Sequence, residues 1–357
     1  MERRKFLTAI AATGAATLAA PAMADSQPSI RWRMASSFPK SLDTVYGGAE
    51  VLAERVKQLT DGKFNIRVFA GGEIVPGLQV LDAIQQGTVE CGHSASYYYV
   101  GKNKAFAFDT AIPFGLNARQ QNAWMYHGGG LQLMREFFAK YNVYNIPGGN
   151  TGTQMGGWFR KEVKTLADLK GLKMRIPGFG GEVMSRLGVV PQTLAGVDVY
   201  PSLERGTIDA TEWVGPYDDE KLGFQKIAKH YYYPGFWEGS AQFSFYINLA
   251  AWNKLPKSYQ QAFEVAAAEV NINVMAEYDH KNPPALDRLL KSGVKLHAYP
   301  PDILKAAHKA AMEILEEESA KNADFKKIYE SWKPYREQQY RWFGIAEAGF
   351  SGLAGLG

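Results

Sequence analysis

Short β-branched runs alternate with stretches of helical periodicity along the chain, the pattern of helices packed on sheets. Residues 30–35 read as a first strand. The apolar spacing of 44–59 predicts the helix after it, with Asp43 as N-cap and Asp61-Gly62 as its stop. Residues 64–68 alternate as a second strand, Gly71-Gly72 makes a turn, Pro76 opens a helix ending near Gly87, and 89–93 form a third strand. Pro147-Gly148-Gly149 predicts a flexible crossing into a second lobe. That lobe opens on a strand at 153–159, continues through a turn into a strand ending near Ile176, a helix at 180–187 and a short strand near 207–211. Residues 243–248 alternate again and return to the first lobe. From Pro256 onward the reading is helical, at 258–278, 301–321 and 325–347, interrupted by Pro283-Pro284 and Pro300-Pro301, with a loose tail after Phe350.

The expected organisation is an α/β chain of two lobes. Lobe I takes 25–148 and 240–300, lobe II takes 149–239, and 301–357 supply C-terminal helices and a tail. Residues 1–24 have the layout of an export signal: Arg3, Arg4 and Lys5, an Ala-rich apolar stretch too short and weak to span a membrane, then Ala22-Met23-Ala24 for cleavage after Ala24. Arg3-Arg4-Lys5-Phe6-Leu7 fits both the twin-arginine and the ordinary secretory route. The chain is therefore expected outside the cytoplasmic membrane. Cys91 stands alone, which excludes an intrachain disulfide and reads as a small buried hydrophobe. A formal charge of +4 leaves no nucleic-acid footprint.

No H-E-x-x-H, C-x-x-C or P-loop occurs, and Gly92-His93-Ser94-Ala95-Ser96 lacks the last glycine of a nucleophile elbow. Triads built from distant residues leave no local trace, so the search narrows the field without closing it. What stands out is polar residues beside aromatics and glycines at strand ends, where two-lobed proteins place ligands. Arg175 closes a strand before Pro177-Gly178. There its guanidinium either grips a carboxylate through two parallel hydrogen bonds or serves a surface salt bridge, the commoner fate of an arginine. Glu212-Trp213 and Phe236-Trp237-Glu238 put carboxylates in apolar company, which implies partners: a Lys or Arg, or a hard cation shared with an amide oxygen such as that of Gln154 and a backbone carbonyl. Tyr97, Tyr98 and Tyr99 follow the third strand, as packing or as phenol donors to a ligand. Asp218-Asp219-Glu220 reads as the solvated start of a helix, where acidic residues suit the dipole.

Four stretches carry a resemblance: Ala35-Ser36-Ser37-Phe38-Pro39-Lys40-Ser41-Leu42-Asp43, the glycine-rich run from Gly148 to Arg160, Gly171-Leu172-Lys173-Met174-Arg175, and Thr211-Glu212-Trp213-Val214-Gly215-Pro216-Tyr217-Asp218-Asp219-Glu220-Lys221. In these the chain resembles the extracytoplasmic solute receptors of tripartite ATP-independent periplasmic (TRAP) transporters, in the branch that binds 2-oxo acids such as pyruvate. The resemblance implies a two-lobed periplasmic-binding-protein fold with a ligand cleft between the lobes. It implies that Arg175 clamps the carboxylate, and that Gln154, Glu212, the Trp213 carbonyl and Glu238 hold a Na⁺ or Ca²⁺ ion bridging protein and substrate. It puts Asn150 and Tyr97 to Tyr99 along the pocket and names TRAP membrane permease subunits as partners. A homodimer formed through the C-terminal helix is a further implication.

Electrostatics supports the cation independently. Two carboxylates and one guanidinium repel an anionic ligand in a desolvated cleft, and a bound cation removes the conflict, most completely if divalent. A small 2-oxo or 2-hydroxy monocarboxylate captured by hinge closure is the expected cargo. The rival expectations are a periplasmic metal-dependent hydrolase using the same carboxylates, and a scaffold with no small ligand.

Overall fold

The computed structural model describes residues 27–353; the expected export segment at 1–24 lies outside them. The strands among these residues are β1 (Ile30–Ser36), β2 (Phe64–Phe69), β3 (Cys91–Ser94), β4 (Val143–Asn150), β5 (Trp158–Phe159), β6 (Lys173–Arg175), β7 (Val190–Gln192), β8 (Ala210–Thr211), β9 (His230–Tyr233), β10 (Gln242–Asn248) and β11 (Lys295–Ala298). They make two sheets, in the orders β2-β1-β3-β10-β4 and β11-β9-β5-β8-β6-β7. In the first, β1 runs parallel to β2 and β3, while β10 returns antiparallel between β3 and β4. Every residue of β10 is buried, as an interior strand covered on both faces requires. Helices pack on each sheet, which makes the chain the expected α/β protein of two lobes. Cys91 is buried and free.

Several local expectations change. Gly148 and Gly149 are not a flexible crossing but part of β4, just before its last residue: a Cβ on Gly148 would lie 2.1 Å from the Phe245 ring of β10, so glycine is there for close packing. The strand expected at 153–159 shrinks to β5, because Gln154, Met155 and Gly156 send their N–H groups to the carbonyls of Glu238, Val214 and Tyr232 instead of into a ladder. Asp43 does not cap the helix Val45–Leu59. It accepts from Tyr217 Oη at 2.9 Å and pairs with Lys221 and Lys281.

The helix Lys257–Lys291 runs unbroken through Pro283-Pro284. Tyr278 before the prolines and Ala285 and Leu289 after them are buried, so tertiary packing holds the helix where local propensity would end it. This helix lies on β4, on Val45–Leu59 and on the second-lobe helix Pro216–Leu222, and delivers the chain to β11 beside β9. Residues 295–298, expected with lobe I, therefore belong to the second sheet. The C-terminal helices join both lobes, with Pro301–Lys321 on the second-lobe helix Gly178–Arg186 and Ala323–Ile345 on Gly130–Ala139. Of the tail expected to be loose after Phe350, Ser351 and Gly352 end the exposed helix Glu347–Gly352, and 354–357 lie outside the described residues.

Candidate functional site

Arg175 ends β6 and pairs in register with Thr211 of β8, which sets Glu212 beside it at the end of the next strand. The Glu212 N–H donates to the Arg175 carbonyl at 3.2 Å, and Arg175 Nη1 donates to both the Glu212 carboxylate and, at 3.2 Å, the Glu212 carbonyl. Arg175 Nε reaches the Leu194 carbonyl at 3.3 Å and Nη2 reaches Tyr98 Oη at 3.4 Å. The guanidinium carbon sits 4.8 Å from the centre of the Trp213 ring, a stacking that a planar guanidinium allows and an ammonium does not match. Arg175 is 1% exposed and Glu212 fully buried, so the surface salt-bridge reading of Arg175 fails.

The opposite wall comes from the first lobe and from the crossing segments that carry Gln154 and Glu238. Tyr97 and Tyr98 lie on a single 3₁₀ turn, Ser96–Tyr99, just past β3, and the Tyr97 phenol stands near the Glu238 carboxylate. Gln154 hydrogen-bonds the Glu238 carbonyl through its N–H at 3.2 Å. Phe38, Val45, Tyr97, Tyr98, Gln154, Arg175, Trp213, Val214 and Phe243 line a narrow cavity of about 10 Å³ between the two sheets.

Three oxygens around it are buried without a hydrogen-bond partner: Gln154 Oε1, Glu212 Oε2 and Glu238 Oε2. A buried acceptor left unpaired costs about 1–3 kcal/mol, so three at one place call for a missing donor or cation. Burial lifts the Glu212 carboxyl above its ordinary range although Arg175 pulls the other way, and burial together with the Glu212 charge lifts Glu238 well above it. For Arg175, burial opposes the charge and the Glu212 carboxylate more than offsets it, so the guanidinium stays charged. Among the described residues no three His, Cys, Asp or Glu side chains gather as a metal group. The donor set is thus two carboxylates and an amide, oxygens suited to a hard cation, and it fits the ion that the sequence implied.

The residues singled out from the sequence divide cleanly. Arg175, Trp213, Gln154, Tyr97 and Tyr98 line this space, and Glu212 and Glu238 stand beside them. Asn150 is buried at the end of β4, its Oδ1 taken by the Gly152 N–H at 2.9 Å and its Nδ2 unpartnered. Tyr99 turns away, donating to Ser94 Oγ at 2.9 Å and accepting from the Leu81 N–H at 3.3 Å. Asp218 and Asp219 are no solvated helix start. Asp218 accepts from Thr44 and Tyr278 hydroxyls, each at 2.7 Å, and Asp219 from Trp158 Nε1 at 2.9 Å and Tyr231 Oη at 2.6 Å, both carboxylates buried. The apolar walls Phe38, Val45, Val214 and Phe243 were not anticipated. Nothing local marks Val45 or Val214, whereas Phe38, following Ser36-Ser37 at the end of β1, sits at the strand-end position that flagged the others.

A family model described as bacterial extracellular solute-binding protein, family 7 (DctP) matches residues 35–322. A monocarboxylate 2-oxoacid-binding periplasmic protein of a Nostoc species is 53% identical over 99% of both chains. A TRAP transporter solute-binding protein from Bordetella bronchiseptica, solved as a mixed-occupancy dimer with copurified calcium and picolinate in one site, is 54% identical with a TM-score of 0.91, covering 92% of this chain and 98% of its own. A counterpart from Pseudoalteromonas atlantica with bound sodium and pyruvate is 40% identical with a TM-score of 0.87, covering 90% and 98%. None of these lends support to a hydrolase. With the match extending from the end of β1 through the helix Pro301–Lys321, this protein belongs to the bacterial extracellular solute-binding proteins of family 7.

Proposed function

We propose that this protein is the solute receptor of a TRAP transporter, and that it captures a small 2-oxo monocarboxylate such as pyruvate together with a Na⁺ or Ca²⁺ ion. The observation that carries the reading is the set of three unpartnered buried oxygens, on Gln154, Glu212 and Glu238, gathered beside the buried guanidinium of Arg175. Arg175 takes the acid's carboxylate, Tyr98 and Tyr97 orient it, and Gln154, Glu212, the Trp213 carbonyl and Glu238 hold the ion. A bound cation supplies the positive charge that lets two carboxylates and an anionic ligand share one desolvated space. The single cationic side chain facing this space, with apolar walls opposite, suits one carboxylate and a short apolar tail.

The lobes close on the cargo and no bond is made or broken; release to a membrane permease follows reopening. Export through the signal at 1–24, by either route, puts the receptor outside the cytoplasmic membrane. Pairing of two copies along the C-terminal helices is supported by the exposure of Trp342 (59%), Ile345 (76%) and Phe350 (75%), and sedimentation will show a dimer.

Thermal denaturation tests the assignment. Protein stripped of small molecules by partial unfolding and dialysis will be stabilised by pyruvate or its longer 2-oxo homologues with a cation present, as mass action requires. An unmoved melting curve across 2-oxo, 2-hydroxy and dicarboxylic acids would end it.

A further inference from the structure

Beneath the first-lobe half of the site lies a buried carboxylate that plays no part in gripping cargo. Asp109 sits on a single helical turn, Ala107–Thr110, and is fully buried with no cationic side chain among its hydrogen-bond partners. Its Oδ2 accepts from Ser96 Oγ at 2.5 Å. Its Oδ1 accepts from Asn145 Nδ2 at 3.0 Å and from Gln242 Nε2 at 3.3 Å. The adjacent Thr110 Oγ1 accepts from the Ser96 N–H at 2.7 Å, and the Tyr246 hydroxyl meets Ser96 Oγ at 2.5 Å.

Each of those partners begins or carries a segment that ends in the site. Ser96 opens the turn holding Tyr97 and Tyr98. Asn145 lies on β4, which runs to Asn150 and on to Gln154. Gln242 starts β10 directly after the stretch carrying Glu238, and is paired in register with Asn150. One carboxylate therefore ties together three first-sheet segments that lead to Tyr97 and Tyr98, to Gln154 and from Glu238, and a site whose geometry must hold to within about half an ångström needs such support. An apolar side chain would fill the same interior without the cost of a buried charge, which makes its presence here a demand of position and not of packing.

We propose that Asp109 is a positioning residue for acid binding, acting through Ser96 on Tyr97 and Tyr98. The inference rests on the proposed carboxylate site, and the two fail separately: wild-type protein that binds no 2-oxo acid defeats the site, whereas binding that ignores Asp109 defeats only this inference.

The test is a double-mutant cycle read by calorimetry with pyruvate in the presence of Ca²⁺. Asp109→Ala raises the pyruvate Kd about tenfold or more in the full-length protein. In the Tyr97→Phe/Tyr98→Phe background the same substitution changes Kd less than about twofold, because the groups it positions are already gone. Ser96→Ala, a smaller change that severs the carboxylate from the turn, reproduces the loss at about three- to tenfold if Asp109→Ala does not fold. Asp109→Asn, which keeps one acceptor oxygen for Ser96, recovers most of the affinity. A wild-type Kd in Asp109→Ala or Ser96→Ala, or losses that simply add to those of the tyrosine variants, would overturn the assignment, since a purely structural carboxylate lowers stability without that coupling.

Discussion

Arg175 and Glu212 are a buried pair in which each charge depends on the other and on a third party. Removing one partner of such a pair typically costs about 3–5 kcal/mol because the survivor is left desolvated. Arg175→Lys keeps the charge and loses both the fork and the stacking on Trp213, so the affinity for 2-oxo acids will fall at least about tenfold in a calorimetric titration. Glu238→Gln will act mainly on the ion: Ca²⁺ affinity falls first, and acid affinity follows only as far as the two are linked. His93 offers an independent residue-scale check. Burial pushes its imidazole down to about 3, among the rings of Phe38, Phe243 and Phe245, with both nitrogens unpartnered. The folded state then refuses a proton that the unfolded chain accepts. Stability is fully present above the ordinary histidine value near 6.5 and is lost as pH falls from there toward 3. Urea unfolding of His93→Phe will show that loss removed, by up to about 1.4 kcal/mol for each pH unit below 6.5, whatever pH-independent cost the larger ring adds.

At the scale of elements, the sequence was most readable where one pattern had one cause. The strands near 30–35 and 64–68 and the helices near 45–59 and 301–321 followed from periodicity, since each needs only one buried face. Reading failed where a residue serves a distant partner. Asp218-Asp219 looks like a solvated helix start because the hydroxyls of Thr44, Tyr278 and Tyr231 and the indole of Trp158 that bury it are far away in sequence. Pro283-Pro284 looks like a break for the same reason. Gly148-Gly149 looks like a hinge because glycine's freedom and its lack of a side chain give one signature. Which of these β4 uses is decided by Phe245 across the sheet. Gly148→Ala will therefore lower stability by about 1–3 kcal/mol in denaturant titration, the cost of forcing a methyl group into a filled interior. A neutral result would restore the flexible-crossing reading.

For the whole molecule, the site exists only where the two sheets meet. Arg175, Glu212 and Trp213 stand on the second sheet's strand ends, while Tyr97, Tyr98 and the start of β10 belong to the first. Sequence motifs named most of these residues, yet their convergence and the enclosing Phe38, Val45, Val214 and Phe243 depend on lobe closure, which no local pattern encodes. Ion pairs cross between the lobes at the surface, among them Asp43 with Lys221 and Lys104 with Glu182 at 2.7 Å. Asp43→Asn will weaken acid binding by only about two- to fivefold, and less at high salt, as expected of solvent-screened contacts that favour closure without touching cargo.

The central claim is that acid and cation occupy one desolvated space and each needs the other. The direct measurement is calorimetric titration of pyruvate into ion-stripped protein in sodium-free buffer, repeated with Ca²⁺ and with Na⁺. The account predicts that either cation tightens pyruvate binding by about tenfold or more, and that pyruvate tightens binding of the same cation by an equal factor. Pyruvate affinity that is identical with and without either ion would contradict it.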